Sequence, residues 1–184
     1  MRPLEPRRRW RRTCSRLGRV SQRGAAASLA PSPRVRAWAL AGLVVLGVVI
    51  ADQLSKSAVE DGIVPGEEHR LLPGIQLVNT RNRGVAFGFL PGSHTAVTIL
   101  IALALVVLLG YFVRHSTQRL IWLPTGMLFG GAIGNIIDRV RAGAVTDFVK
   151  LPLGWPPFNL ADMSITLGIV ILFLVIDHSR HAAP

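Results

Sequence analysis

The chain has one cysteine, one tyrosine and three methionines among 184 residues, and only 17% of its residues are charged. A single cysteine, Cys14, excludes an intramolecular disulfide framework and any zinc site built on cysteines. It leaves the redox compartment open. The marks of serine or zinc hydrolases are missing, because neither G-x-S-x-G nor H-E-x-x-H occurs. The five histidines, His69, His94, His115, His178 and His181, stand apart from the acids. So little charge does not fit a soluble domain, which carries about a quarter charged residues. With 50% hydrophobic residues and a mean hydropathy of +0.42, most of the chain is also too apolar for intrinsic disorder.

Acids are outnumbered two to one, ten Asp and Glu against 21 Lys and Arg, but the excess is local. Eleven of the 19 arginines fall in residues 1–36 beside one acid, Glu5, so this arm carries +10 of the formal +11. The rest of the chain sums to +1. The high pI therefore describes a tail, and nucleic-acid binding by the body has no support. The Arg/Ser/Pro/Ala-rich arm is expected to be disordered, and its charge either attracts anionic lipid or merely reinforces orientation.

Long apolar runs are what the chain has in abundance. A bilayer core about 30 Å thick asks for about 20 apolar residues in a helix. Four stretches meet or approach this, at 37–55, 95–113, 120–137 and 159–177. Four transmembrane helices are expected, and the first is not a cleaved leader, because no A-x-A site closes it. The arginines ahead of the first span favour both termini inside, with residues 178–184 as a short cytoplasmic tail. In that topology Asp52, Asp138 and Asp162 end or open spans at the outer face, and Asp147 lies in the short outer loop between the third and fourth. Acids at membrane depth are costly, and four at one level point to a site. The outer loop at 56–94 holds a strand-like piece at 75–78, a polar turn (NTRNRG) and a second apolar piece at 85–90; residues 145–150 can add a strand.

Each motif has a structural and a chemical reading. In FNLADMSI, Asn159 fits a helix N-cap with Asp162 three residues on, where its carboxylate meets free N–H groups. The same geometry keeps an acid ionised beside low-dielectric surroundings. Asp147, flanked by Val145, Thr146, Phe148 and Val149, is either an exposed loop acid or a desolvated one with a raised pKa. Two converging acids share one proton near neutrality, as an aspartic protease requires. GGAIGNIIDR, at 130–139, is either a packing seam or a support for the acids through Asn135 and Asp138, which share a helix face. DQLSK, at 52–56, and NRGVAF, at 82–87, read either as a helix end and a hairpin turn at Gly84 or as parts of an outer polar site.

Taken in order across four apolar spans, DQLSK, NRGVAF, GGAIGNIIDR, VTDF and FNLAD resemble the lipoprotein signal peptidase (signal peptidase II) family over residues 37–177. The resemblance implies a membrane aspartic endopeptidase that removes signal peptides from diacylglyceryl-modified bacterial prolipoproteins, cutting before the lipid-modified cysteine. It implies Asp147 and Asp162 as the catalytic pair. It also implies Asp52, Lys56, Asn82, Gly84, Asn135, Asp138, Arg139, Asn159 and Ala161 as substrate-contacting or supporting residues. The implied fold is an all-α four-helix membrane domain with a small extracytoplasmic β-sheet cradle, in the bacterial cell membrane, acting as a monomer without metal or cofactor. The rival reading is a small proton-coupled transporter using the same acids as relay groups, although their place at span ends rather than mid-membrane argues against it. A magnesium-dependent transferase would show tightly spaced acids such as D-x-x-D, which these are not.

Overall fold

The computed structural model describes residues 31–83, 94–152 and 154–181. Most of the basic arm, Cys14, Gly84 and the apolar piece at 85–90 lie outside them. All described elements belong to the unit Pro33–Pro184. In chain order they are α1 (Pro33–Gly62), β1 (Glu68–Leu72), β2 (Ile75–Asn82), α2 (His94–His115), α3 (Trp122–Ala142), β3 (Val145–Lys150) and α4 (Leu160–His181). The fold is mostly helical, with one small antiparallel sheet in the order β1-β2-β3.

Burial is inverted relative to a soluble protein. Leu43, Leu46, Ile50 and Leu54 of α1 and Leu167, Val170, Phe173 and Leu174 of α4 are exposed. Asp52, Lys56, Asn135, Asn159 and Ser164 are buried. Polar groups inside and apolar groups outside suit a hydrocarbon solvent. Two helices, Pro33–Gly62 and Leu160–Ser179, are long and apolar enough to cross a membrane. The other two expected spans are also helices. In α2 the apolar run Ile99–His115 is shorter among the described residues, and α3 is rich in glycine and ends in Asp138, Arg139 and Arg141.

Helix α3 is the centre of the bundle, packed on α1 along one side and α4 along the other. Its glycines permit this. A Cβ at Gly131 would fall 2.5 Å from the Ala161 carbonyl oxygen of α4, and one at Gly134 would fall 2.6 Å from Asp52 Oδ2 of α1. The packing-seam reading of GGAIGN is thus correct as far as the glycines go.

Two features differ from the sequence expectation. Helix α1 runs to Gly62, beyond the expected span end at 55, because Asp52, Lys56 and Val59 form one buried stripe that continues to pack. Asn79 Nδ2 then donates to the Ile63 carbonyl oxygen at 2.8 Å, serving the end of the helix. Of the expected polar turn NTRNRG, residues 79–82 are strand, with Thr80, Arg81 and Asn82 continuing β2 opposite Asp147, Thr146 and Val145, while its last residue, Gly84, lies outside the described residues. A turn at Pro73-Gly74, with Gly74 at φ 83°, joins β2 to β1, a strand that lacked any sequence signal.

Candidate active site

The site forms where α1, α3, the sheet and the start of α4 meet. Its local devices are legible one at a time. Asn159 caps α4: its Oδ1 accepts the Asp162 N–H at 2.9 Å, while its own N–H donates to Asp162 Oδ2 at 3.4 Å. This is a reciprocal capping box, so the structural reading of FNLAD holds. Phe158 pairs with Val149 through N–H···O bonds of 3.0 and 2.8 Å. That bridge folds the connection back on itself and sets Asn159 beside Asp147 on β3. The side chain closes the link, with Asn159 Nδ2 donating to Asp147 Oδ1 at 2.6 Å.

Asp147 also accepts from Asn82 Nδ2 at 3.0 Å, across the β2–β3 ladder. Thr80 sits opposite Asp147, and its hydroxyl donates to the Asp147 carbonyl oxygen at 2.9 Å. The Asp147 residue is 3% exposed, so the loop-acid reading is set aside. Burial pushes its carboxyl up to about 6; the hydrogen bond from Asn82 opposes this, and the charge of Asp162 adds to it. Asp162 Oδ1 accepts from Asn135 Nδ2 at 2.8 Å.

A second cluster supports the first. Lys56 lies buried between two carboxylates, 2.8 Å from Asp52 Oδ2 and 2.7 Å from Asp138 Oδ2, and donates to Asn135 Oδ1 at 3.0 Å. Asn159 Nδ2 reaches the same Asn135 oxygen at 3.2 Å. Asp52 Oδ1 accepts the Ala161 N–H at 2.9 Å, tying α1 to the first turn of α4. Arg139 donates to the Asn135 carbonyl oxygen at 3.1 Å, and its charge is felt by Asp162, Asp147 and Asp138.

Ten of the eleven residues singled out from sequence therefore lie in one continuous network: Asp52, Lys56, Asn82, Asn135, Asp138, Arg139, Asp147, Asn159, Ala161 and Asp162. Gly84 lies outside the described residues. Sequence reasoning passed over Gln53 and Thr146. Gln53 Nε2 donates to Asp138 Oδ1 at 2.9 Å and lies 3.3 Å from Asp52 Oδ2, and the Thr146 N–H donates to Asp138 Oδ2 at 3.3 Å. Both stand inside motifs already quoted, so adjacency to an acid was the only available signal.

The network sorts its four acids. Asp52 and Asp138 touch the Lys56 ammonium, whereas the described bonds to Asp147 and Asp162 come from neutral amides alone. Asp147 is buried and Asp162 half-buried, and carboxylates held by amides, with no cation in contact among the described residues, are suited to taking up and releasing a proton.

The sequence matches the signal peptidase (SPase) II family over residues 43–177. The chain belongs to the signal peptidase II family. Relatives include the lipoprotein signal peptidase of Paraburkholderia phymatum, 38% identical over 171 residues, which cover 89% of this chain and 96% of that one. That of Halothermothrix orenii is 36% identical over 133 residues, 72% of this chain and 91% of the other. The Burkholderia thailandensis enzyme is 42% identical over 132 residues, with 68% and 80% covered. A solved bacterial membrane enzyme is similar in structure with a TM-score of 0.71 at 30% identity, over 78% of this chain and 91% of its own. The chain is accordingly a membrane peptidase of the aspartic type.

Proposed function

We propose that this signal peptidase II removes the signal peptide from diacylglyceryl-modified prolipoproteins, cleaving before the lipid-modified cysteine, with Asp147 and Asp162 as its catalytic pair. The observation that carries the reading is Asn159. One side chain donates to the Asp147 carboxylate and accepts the N–H of Asp162, so both acids are set by a single residue. The pair shares one proton. The ionised carboxylate takes a proton from water as the oxygen attacks the scissile carbonyl carbon, and the protonated one donates to the carbonyl oxygen. Collapse of the gem-diol then passes a proton to the leaving amine. The titration belongs to the pair and not to either acid alone.

Asn82, Asn135 and Asn159 aim the carboxylates; Asp52, Lys56 and Asp138 brace the frame; Arg139 and Gly84 serve the substrate. All four long helices cross the bacterial cell membrane, with both termini cytoplasmic and the acids at the extracytoplasmic face. A site at that level grips acyl chains in the bilayer while presenting the peptide bond to water, which accounts for a lipid-modified substrate. The enzyme acts as a monomer without metal.

The test uses purified protein in detergent with a diacylglyceryl-modified prolipoprotein, following loss of the signal peptide by gel shift. Wild type is expected to cleave with EDTA present, and Asp147→Asn and Asp162→Asn each to lose about 10³-fold or more while still folding. Cleavage surviving in either variant removes that residue from the pair. Failure of wild type beside an active control enzyme favours the transporter reading.

A further inference from the structure

We infer that Glu60, on the last turn of α1, is a positioning residue for Asp147 that acts through Thr146. The inference rests on Asp147 being half of the catalytic pair. Glu60 lies outside every motif position considered above.

Thr146 immediately precedes Asp147 and is 1% exposed. It is pinned at two groups by two different helices: its N–H donates to Asp138 Oδ2 of α3 at 3.3 Å, and its hydroxyl donates to Glu60 Oε1 of α1. The same Glu60 oxygen takes the guanidinium of Arg81 at 3.3 Å, and Arg81 stands directly opposite Thr146 in the β2–β3 register. One carboxylate thus holds the corner where α1, β2 and β3 meet.

Successive side chains of a strand point to opposite faces, so Thr146 is the back of the strand whose front is Asp147. Releasing the Thr146 hydroxyl lets this residue rotate about the strand axis. That rotation swings the Asp147 carboxylate relative to Asn82 and Asn159, its two amide donors. The Glu60–Arg81 ion pair itself is more than one-third exposed on both sides and contributes little stability. What Glu60 supplies is geometry, and a misplacement of about 1 Å in a catalytic group lowers rate far more than it lowers stability.

The test measures kcat and KM for cleavage of a diacylglyceryl-modified prolipoprotein by the full chain in detergent, with thermal unfolding alongside. Glu60→Ala is expected to lose about tenfold or more in kcat with KM within about twofold. Glu60→Gln keeps an oxygen to accept from Thr146 and stays within about threefold of wild type. Thr146→Val falls as Glu60→Ala does, Thr146→Ser does not, and adding Glu60→Ala to Thr146→Val costs nothing further. Glu68→Ala, which breaks the exposed pair with Lys150 across the same sheet, leaves kcat unchanged. Equal losses in Glu60→Ala and Glu60→Gln, or in Glu60→Ala and Glu68→Ala, overturn the inference, as does an effect confined to KM. Should Glu60→Ala fail to fold, Thr146→Val against Thr146→Ser decides. Asp147→Asn is run in parallel: an active Asp147→Asn refutes the underlying reading, whereas an inactive one beside a normal Glu60→Ala refutes the role of Glu60 alone.

Discussion

Gly134 is where the frame has least room. A methyl there would lie 2.6 Å from Asp52 Oδ2, 3.2 Å from its Cγ and 3.5 Å from Ala161 Cβ. Ordinary contact begins near 3.4 Å, so the carboxylate must withdraw by about 0.8 Å, the difference between the two distances. It has no free direction. Its Oδ1 holds the Ala161 N–H at 2.9 Å and its Oδ2 holds Lys56 Nζ at 2.8 Å, so withdrawal breaks one bond or drags α4 with it. Losing one charge-assisted hydrogen bond inside the bundle costs about 1.5–3 kcal/mol. Overpacking adds about 1–3 kcal/mol, and the gain in helix propensity returns about 0.5–1 kcal/mol. Gly134→Ala is therefore expected to destabilise by about 1.5–5.5 kcal/mol, and to impair cleavage because α4 carries Asp162.

The control is Gly47→Ala on α1, where a Cβ meets nothing within 4 Å. That variant is expected to match or slightly exceed wild type in stability. Denaturant unfolding in mixed micelles, followed by far-UV circular dichroism, reads both variants on one scale. If Gly134→Ala unfolds within about 1 kcal/mol of Gly47→Ala, the close approach of α1 to α3 at Asp52 is wrong.

Two further predictions concern the acids. Burial raises Asp147 from 3.8 to about 6, so the contribution of its neutral form to stability is present below about pH 4 and lost as pH rises through 6. Between pH 4 and 8 the stability gap between Asp147→Asn and wild type should therefore move in favour of the variant; a gap that stays constant with pH contradicts the burial argument. Asn159→Ser keeps a side-chain oxygen for the Asp162 N–H but loses the amide to Asp147. Unfolding should place it about 1.5–3 kcal/mol below wild type, the usual cost of one lost hydrogen bond to a buried carboxylate, while cleavage falls about tenfold to hundredfold; unchanged cleavage would show that the Asn159–Asp147 bond does not position the acid.

How much of this was legible in the sequence differs from residue to residue, and the reason is physical. Span-length apolar runs and the Asn159-Asp162 spacing are local signals, so the helices and the cap of α4 were anticipated. β1 was not, because every residue of Glu68–Leu72 is exposed and no alternation marks it. Residues 79–82 look like a turn by composition, yet they are strand, since Thr80, Arg81 and Asn82 owe their conformation to partners more than 60 residues away. The same limit governs the acids. Asp52, Asp138, Asp147 and Asp162 look alike when read as four carboxylates at one membrane level; Lys56 four residues after Asp52 and Arg139 beside Asp138 are local signals of a cation, but the sequence does not show that Lys56 serves both acids. Lys56 makes the division, reaching Asp52 one turn back and Asp138 on another helix, while Asp147 and Asp162 are left to asparagines. A cation in contact ties a carboxylate to one place through charge; an amide holds it in place without adding a charge. On the proposed reading, the division between bracing acids and catalytic acids follows the Lys56 contacts, one local and one to another helix, and substituting the partner rather than the acid is the sharper test of it.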